Sequence, residues 1–270
     1  MASPDLLARL QQAHVERIPW STGDMFMGRP TPIDPRAAVA LMTQGRSGYC
    51  FHLNTAFLTL LSALGFNVHA HRAGVQSRGR SPVVDGCHMG LTVHPHGDRW
   101  NSWIVDVGLG DMPALPIPLA WGRWAQGALV YETVPSAVHP RGWRLVNDER
   151  ASYVGVDFAP ERVPLDVFVP AHLFLSRDPA SPWVSRLVIK QRDRVGATSL
   201  TGLVLTRLDA HGVTSRVLDH RAEWFDVVRD GFRESLSLYD ARDRDALWQR
   251  VLSAHDAWTR RQGGEGGTAR

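Results

Sequence analysis

Apolar residues recur at helical spacing in the first part of the chain. A Ser-Pro pair at residues 3–4 and an Asp-Pro pair at residues 34–35 are typical of helix starts, and a third helix is predicted to begin near Cys50 and end before Gly65. The apolar positions after these starts are Leu6, Leu10 and Ala13, then Ala38, Leu41 and Met42, and finally Leu53, Phe57, Leu60, Leu61 and Leu64. The spacing predicts a helical bundle over residues 1–82.

From residue 83 to residue 195 the pattern changes to short alternating or β-rich runs separated by turn residues. These runs are HMGLTVH, WIVDVG, LVYETV, WRLV and VSRLVIKQR. They predict a β-barrel or a sandwich. Residues 196–262 contain strand-like and then helix-like runs, which predict a mixed α/β unit. The Gly-rich, polar tail at residues 263–270 is predicted to be disordered.

The composition narrows the class of protein. With 270 residues, of which 44% are hydrophobic, the chain can bury a substantial core. No apolar run approaches the roughly 18 residues that a membrane span needs, and the N-terminus lacks the apolar segment of a secretory signal. We therefore predict a cytoplasmic protein that does not associate with membranes.

Charge and cysteine content argue against a nucleic-acid-binding protein and against a disulfide-stabilised one. The net charge is +3, and the basic residues are scattered between acids, which argues against nucleic-acid binding but still suits an anionic small-molecule substrate. The two cysteines, Cys50 and Cys87, are too few for a disulfide scaffold. Each is therefore considered as a thiol.

Cys50 lies where a loop enters an apolar helix, in the segment RSGYCFHLN. A thiol at a helix start is close to free backbone N–H groups and the positive end of the helix dipole, which favour the thiolate. This pattern is typical of a nucleophile. The alternative is that Cys50 is a small core residue at the beginning of a buried helix.

His88 and Asp106 lie in two strand-like runs joined by a turn-rich segment. A symmetric hairpin centred on Gly97 would place His88 directly opposite Asp106 on one face of the sheet. The carboxylate could then accept the imidazole Nδ1–H, which leaves the other nitrogen free to take a proton from Cys50. The alternative is a buried polar pair that links two strands, and a register shift of one residue would separate the two side chains.

The second cysteine and four further histidines are predicted to have structural rather than catalytic roles. Cys87 directly precedes His88, so it is predicted to point to the opposite face of the strand and to pack there. Four further histidines complete no recognisable ligand spacing, and no metal site is predicted. They are His69, His71, His94 and His96.

The segment RSGYCFHLN resembles the signature of the arylamine N-acetyltransferases, which reads Arg, Gly, Gly, aromatic, Cys, aromatic, Glu, any residue, Asn. The histidine strand, DVGLG and the segments HVERIPW, LSRDPASPWVSRLVIKQR and WFDVVRDGFRESL follow in the family's order. The resemblance implies an α+β fold: an N-terminal helical bundle, a central β-barrel and a C-terminal α/β lid. It also implies a papain-like triad of Cys50, His88 and Asp106 between the first two units.

The resemblance further implies transfer of an acetyl group from acetyl-CoA to an arylamine or related amine through an acyl-cysteine, with no tightly bound cofactor. Gly108 and Gly110 would let the backbone approach the co-substrate, although an ordinary strand-end turn also explains these glycines. Two alternatives remain: an amide synthase that takes a larger acyl group from CoA or a carrier protein, and a non-catalytic binding relic. The acyl donor and the reactivity of Cys50 distinguish them.

Two residues depart from the family pattern near the expected site. His52 stands where the family has Glu, which suggests altered hydrogen bonding behind the cysteine helix, through Arg46 or a lid residue. Leu109 stands where the family has Phe, which removes an aromatic side chain from the expected acyl or acceptor pocket.

Overall fold

The computed structural model describes residues 2–94 and 102–265. Within these ranges the chain forms helices α1 (Pro4–Arg17), α2 (Gly23–Phe26), α3 (Pro35–Thr43), α4 (Cys50–Ala63), α5 (Val169–Arg177), α6 (Pro182–Ser185), α7 (Arg221–Asp226) and α8 (Ala241–Glu265). A 3₁₀ turn spans Leu165–Phe168 and a π-helical turn spans Val227–Gly231. None of the described helices combines the length and the apolar character that crossing a bilayer requires.

The strands are β1 (Trp20–Ser21), β2 (Asn67–Gln76), β3 (His88–His94), β4 (Trp103–Val105), β5 (Ile117–Pro118), β6 (Gly122–Gln126), β7 (Leu129–Pro135), β8 (Trp143–Val146), β9 (Gly155–Arg162), β10 (Val188–Arg192), β11 (Ala197–Thr201), β12 (Val204–Asp209) and β13 (Gly212–Val217). Among the described residues they form two antiparallel sheets. The barrel sheet has the order β5-β4-β3-β2-β9-β8-β7-β6 and is nearly closed. The C-terminal sheet has the order β1-β10-β11-β12-β13.

The predicted helix starts are present. Ser3 and Asp34 cap α1 and α3 by accepting hydrogen bonds from backbone N–H groups of the first turn, and proline follows each cap. The predicted stripe of α1 is incomplete. Leu6 and Leu10 pack against the core partly buried, whereas the fully buried positions include Leu7 and Gln11, whose side-chain amide donates to the Pro113 carbonyl oxygen.

Two strands lie outside the units predicted for them. Strand β2 falls within residues 1–82, the predicted helical bundle, yet it pairs with β3 and β9 at the centre of the barrel sheet. Strand β10 falls within residues 83–195, the predicted barrel, yet it pairs with β1 and β11 in the C-terminal sheet. Each strand pairs with one strand near it in sequence, β3 or β11, and with one that is distant, β9 or β1, so position along the chain alone did not assign it. The boundaries of the three units therefore stay a prediction.

The disordered tail was predicted to begin at residue 263, which is too early in the sequence. Helix α8 continues to Glu265, so residues 263–265 are helical, and the remainder of the tail lies outside the described residues. The turn predicted at residues 95–99 also lies outside them.

Three apolar clusters hold these elements together. The first packs α1, α4 and the inner face of β3, and it contains Cys50. The second fills the space between the C-terminal sheet and α7 and α8. The third fills the barrel. Helix α4, which begins at Cys50, therefore packs directly on the strand that carries His88.

Candidate active site

Cys50 is the first residue of α4, and its thiol is buried where the loop enters that helix. Tyr49 occupies the extended N-cap position without a side-chain capping bond, so backbone N–H groups of the first turn stay available. The Cys50 thiol donates to the carbonyl oxygen of Cys87, with 3.9 Å between Sγ and the oxygen. Because Cys87 immediately precedes β3, the thiol lies beside the beginning of the strand that carries His88.

Two opposing influences act on this thiol. Burial raises the pKa of Cys50 well above its usual value, and the negative charge of Asp106 raises it further. The backbone N–H groups of Cys50 and Phe51 lower the pKa because they stabilise the thiolate. The predicted effect of the helix start is therefore present but is outweighed by burial. Ionisation of this thiol requires a base within reach.

His88 and Asp106 form a buried hydrogen-bonded pair, with 2.6 Å between His88 Nε2 and Asp106 Oδ2. The sheet register pairs Leu91 with Val105, so Gly90, not His88, falls across from Asp106 when the ladder is continued by one step. The prediction that His88 and Asp106 are directly opposite is wrong by two residues. Because side chains alternate with a period of two along a strand, this shift leaves both on one face.

The nitrogen that meets the carboxylate is also the reverse of the prediction. His88 Nε2 binds Asp106, whereas Nδ1 is buried and has no hydrogen-bond partner among the described residues. The Nε2–H tautomer is favoured because Nε2 must donate to the carboxylate. Nδ1 is then the nitrogen with a free lone pair, and it has the chemistry of a base.

Asn54 is a site residue that the sequence analysis did not identify. Its side-chain amide donates to Asp106 Oδ1 at 2.8 Å and to the Met89 carbonyl oxygen at 2.6 Å, and its Oδ1 accepts from Val107 N at 3.0 Å. Asn54 lies one helical turn after Cys50, so α4 presents the nucleophile and the amide on the same face. The available signal was the four-residue spacing in RSGYCFHLN.

Gly108 brings the nucleophile helix against the loop that follows β4. Its N–H donates to Asp106 Oδ1 at 2.8 Å. A Cβ at this position would lie 2.7 Å from Asn54 Nδ2 and 3.0 Å from Cys50 Cα, so only glycine fits. Gly110 has a φ of +75°, and a Cβ there would lie 2.3 Å from Lys190 Cβ. Both glycines thus have a packing role.

His52 is buried and contacts neither of the partners expected for it. Its Nε2 lies 2.9 Å from the Thr31 carbonyl oxygen, and burial lowers the pKa of His52 to about 4. The neutral imidazole therefore donates to that carbonyl. Arg46 is not a free charge, because it forms an ion pair with Asp24. His52 makes no hydrogen bond to Arg46 among the described residues, and its expected influence on the site through Arg46 or a lid residue stays a prediction.

Cys87 lies in a bend one residue before β3 and is half-buried at the edge of the first apolar cluster. Burial, together with the charge of Asp85 and a hydrogen bond to its carboxylate, raises the pKa of Cys87 to about 11. Both cysteines are free thiols. Of the two, only Cys50 sits at a helix start next to the His88–Asp106 pair.

Of the four other histidines considered as metal ligands, the three described ones, His69, His71 and His94, contact protein groups on neighbouring strands. His71 Nδ1 lies 3.1 Å from the Ala159 carbonyl oxygen, to which it donates, and Nε2 then accepts from the Thr92 hydroxyl at 2.8 Å. The rings of His69 and His94 meet edge to face on adjacent strands. No group of three His, Cys, Asp or Glu side chains suited to a metal ion occurs within the described ranges, which exclude His96.

Three tryptophans and Leu109, which the sequence placed near the site or in its segments, are distributed over the three apolar clusters. The rings of Trp20 and Trp183 meet edge to face at 5.2 Å between centroids, beside the elements that hold Cys50. Trp224 lies in the core of the C-terminal unit. Leu109, the second departure from the family pattern, packs in the barrel cluster.

Comparison with known proteins identifies the family of this chain. The N-acetyltransferase family model matches residues 5–240. Proansamycin X synthase of Amycolatopsis mediterranei is 32% identical over 109 residues, 38% of this chain and 40% of that protein. Arylamine N-acetyltransferase / N-hydroxyarylamine O-acetyltransferase of Salmonella typhimurium is 32% identical over 107 residues, 39% of this chain and 37% of that protein. The alignments span less than half the length of these curated relatives.

Solved structures share the whole fold. The arylamine N-acetyltransferase of Mycobacterium abscessus superimposes with a TM-score of 0.82 at 25% identity, covering 93% of this chain and 89% of that chain. The Mycobacterium marinum arylamine N-acetyltransferase in complex with CoA gives a TM-score of 0.81 at 24% identity, covering 93% of each chain. Together with the family match over most of its length, this means that the chain belongs to the N-acetyltransferase family that contains the arylamine N-acetyltransferases.

Proposed function

We propose that this chain is a cysteine-dependent acyltransferase that moves an acetyl group from acetyl-CoA to an arylamine or related amine. Family membership over residues 5–240 supports the reaction class. The observation that carries the proposal is the buried His88–Asp106 pair beside the Cys50 thiol, with His88 Nδ1 unpartnered among the described residues. Cys50, His88 and Asp106 are the proposed catalytic triad.

In the first half-reaction, His88 Nδ1 takes the proton of the Cys50 thiol, and the thiolate attacks the thioester carbonyl of acetyl-CoA. A carbon–sulfur bond forms to Cys50, the bond to CoA breaks, and the CoA sulfur leaves with the proton from the imidazolium. Asp106 accepts the Nε2–H bond throughout and stabilises the imidazolium. The backbone N–H of Cys50 is the proposed donor to the oxyanion.

In the second half-reaction, the amine attacks the acetyl-cysteine while His88 Nδ1 takes a proton from the amine nitrogen. The carbon–nitrogen bond forms, the bond to Cys50 breaks, and the proton returns to the cysteine sulfur. The product is an N-acetyl amine. The enzyme returns to its starting state, so the kinetics are ping-pong.

Acetyl-CoA acts here as a co-substrate rather than a tightly bound cofactor, and the partners are small molecules. The Mycobacterium marinum enzyme, which has the same fold, forms a complex with CoA. Binding of the co-substrate along the backbone at Gly108 and Gly110 stays a prediction, since packing already accounts for both glycines. The cytoplasm is the proposed compartment because it keeps a thiol nucleophile reduced.

The second candidate function is an amide synthase that transfers a larger acyl group from CoA or from a carrier protein. The similarity to proansamycin X synthase favours it. The triad and its chemistry are the same in both candidates, and the acyl donor distinguishes them.

The decisive experiment is the intact mass of the protein after exposure to acyl thioesters. We expect acetyl-CoA to add one acetyl group to Cys50 and aniline to remove it. Cys50→Ser should abolish the adduct because a serine hydroxyl is far less ionised than a thiol. Cys87→Ser is the matched control and should form the adduct as wild type does.

An adduct formed only with long or carrier-bound acyl thioesters would select the amide synthase. An adduct that maps to Cys87 would contradict the proposed site. No adduct with any donor, together with slow alkylation of Cys50 near neutral pH, would indicate a non-catalytic protein.

A further inference from the structure

The turn that leads into the nucleophile helix is attached to the C-terminal part of the chain by one carboxylate. Glu234 Oε1 accepts from the backbone N–H of Ser47 at 3.2 Å, and Oε2 accepts from the Ser47 hydroxyl. Ser47 is 4% exposed and lies three residues before Cys50. In the signature quoted above, this position is the first of the two glycines. The hydroxyl that reaches Glu234 is thus a further departure from the family pattern.

Backbone contacts on either side support the same turn. The N–H of Ser235, next to Glu234, donates to the Gly45 carbonyl oxygen at 2.9 Å. From the other direction, Ser21 in β1 donates its N–H to the Gly48 carbonyl oxygen at 2.8 Å. The chain before Cys50 is therefore held between the edge of the C-terminal sheet and the segment after the π-helical turn.

The charged groups around the carboxylate are few. Among the described residues, three titratable or charged groups influence Glu234: Asp24, its ion-pair partner Arg46, and the hydroxyl of Tyr239, which donates to Asp24 at 3.2 Å. Burial raises the pKa of Glu234 to about 7, and its bonds to Ser47 act in the opposite direction. The carboxylate thus changes charge near neutral pH.

We propose that Glu234 is a positioning residue for the nucleophile: by binding both donors of Ser47 it fixes the turn from which α4 begins, and so aligns the Cys50 thiol and the adjacent backbone N–H groups. This inference rests on the proposed acyl transfer. It predicts that the C-terminal unit contributes to the rate of Cys50 acylation without contacting the reacting atoms.

A glycine at position 47 would give Glu234 only the backbone N–H as a partner. The serine supplies a second donor, and two bonds define the orientation of the turn where one bond would leave it free to rotate. A displacement of about 1 Å in a reacting group can lower a rate about 100-fold, so restraint of this turn has a measurable effect.

The test is the single-turnover rate of Cys50 acetylation over a range of acetyl-CoA concentrations, for wild type, Glu234→Ala, Ser47→Gly and the double variant. We expect each single variant to lower the maximal rate about tenfold or more, with the half-saturating acetyl-CoA concentration changed less than about twofold. The double variant should be little worse than either single one, because both remove the same restraint.

Two further variants separate positioning from general destabilisation. Glu234→Gln can accept from the Ser47 N–H and donate to its hydroxyl, so it should retain most of the rate and should lose the part of the pH profile near 7 that belongs to the carboxylate. Glu223→Gln makes the same chemical change in a surface ion pair with Arg216 and should behave as wild type.

A wild-type maximal rate in Glu234→Ala and Ser47→Gly would overturn the inference, as would strictly additive losses or an effect confined to half-saturation. If Glu234→Ala does not fold, the two Ser47 variants, Ser47→Gly and Ser47→Ala, decide the question alone. Absence of acetylation in wild type would instead refute the proposed function.

Discussion

At the scale of single residues, the centre of the site is the carboxylate of Asp106. It accepts hydrogen bonds from His88 Nε2 at 2.6 Å, from Asn54 Nδ2 at 2.8 Å and from Gly108 N at 2.8 Å. Three donors from three different elements hold it in one orientation. The imidazole is thereby fixed with Nδ1 as its free nitrogen.

Asp106→Asn should inactivate the protein without unfolding it. The amide oxygen would still accept from Asn54 and Gly108, so its NH₂ group would face His88 Nε2. That nitrogen would have to become the acceptor, which moves the ring proton to Nδ1 and removes the base for Cys50. We expect the acetylation rate to fall by up to about four orders of magnitude.

The measurement is the rate of acetyl-adduct formation by mass, with circular dichroism to check folding. Asp219→Asn, at an exposed position, is the control and should not change the rate. Near wild-type turnover in folded Asp106→Asn would mean that the pair is structural.

The buried position of His52 and its hydrogen bond to the Thr31 carbonyl oxygen allow a prediction about stability. His52→Glu, which restores the family residue, would direct a carboxylate at the Thr31 carbonyl oxygen while Arg46 remains paired with Asp24. We expect a loss of about 3 kcal/mol in the free energy of unfolding at pH 7, since a buried charge would have no partner. His52→Gln can still donate to Thr31 and should lose less. Urea denaturation of both variants measures the difference, and equal stability of the two would contradict the assignment.

At the scale of elements, the site depends on how closely α4 approaches the loop after β4. Gly108 occupies the contact, and its missing side chain lets Asn54 reach Asp106. The contact joins a helix of the N-terminal unit to a strand end of the barrel sheet. A small increase in volume at this point should move Cys50 away from the His88–Asp106 pair.

Gly108→Ala tests this contact. The added methyl group would lie closer to Cys50 Cα and Asn54 than atoms in proteins tolerate, so α4 or the loop must move. We expect the acetylation rate to fall about 100-fold and the protein to remain folded, because a shift of about 1 Å suffices. Gly231→Ala adds the same methyl group in ordinary contact with Val227 and should retain the wild-type rate. Equal rates in the two variants would exclude this role for Gly108.

At the scale of the whole molecule, buried histidines determine the response to acid. Burial lowers the pKa of His14 to about 3 and lowers the pKa values of His52, His71 and His172 to about 4. The unfolded chain binds these protons below about pH 6.5 while the folded chain does not. Stability is therefore lost as the pH falls below 6.5. Glu234, with its pKa raised to about 7, has the opposite sign and offsets part of the loss.

We expect the free energy of unfolding to be lower at pH 5 than at pH 7.5, and His14 alone to account for up to about 2 kcal/mol of the difference. His14→Leu should reduce the pH dependence by that amount, because leucine cannot titrate and the ring nitrogen Nε2 has no partner in the described structure. His211→Gln, at an exposed position, should leave the pH dependence as in wild type. Urea denaturation at the two pH values provides the measurement. An unchanged slope in His14→Leu would refute the assignment.

Much of the fold follows from local patterns. The helix starts at Ser3 and Asp34, and the alternating strands β7 and β8, were predictable because caps and alternation act over a few residues. Strand β2 was not, because its buried residues are the adjacent pairs Ala70–His71 and Ala73–Gly74 rather than alternate positions, so the segment shows no period of two.

By itself, the sequence singled out the residues proposed to carry the chemistry: a cysteine at a helix start, and a histidine and an aspartate on one face of two neighbouring strands. Periodicity sufficed because a register error of two residues does not change the face. Only the tertiary structure decided which imidazole nitrogen meets Asp106, that Asn54 orients it, and that Glu234 reaches Ser47. These contacts join residues far apart along the chain, and their geometry depends on how α4, the barrel sheet and the C-terminal segment pack together.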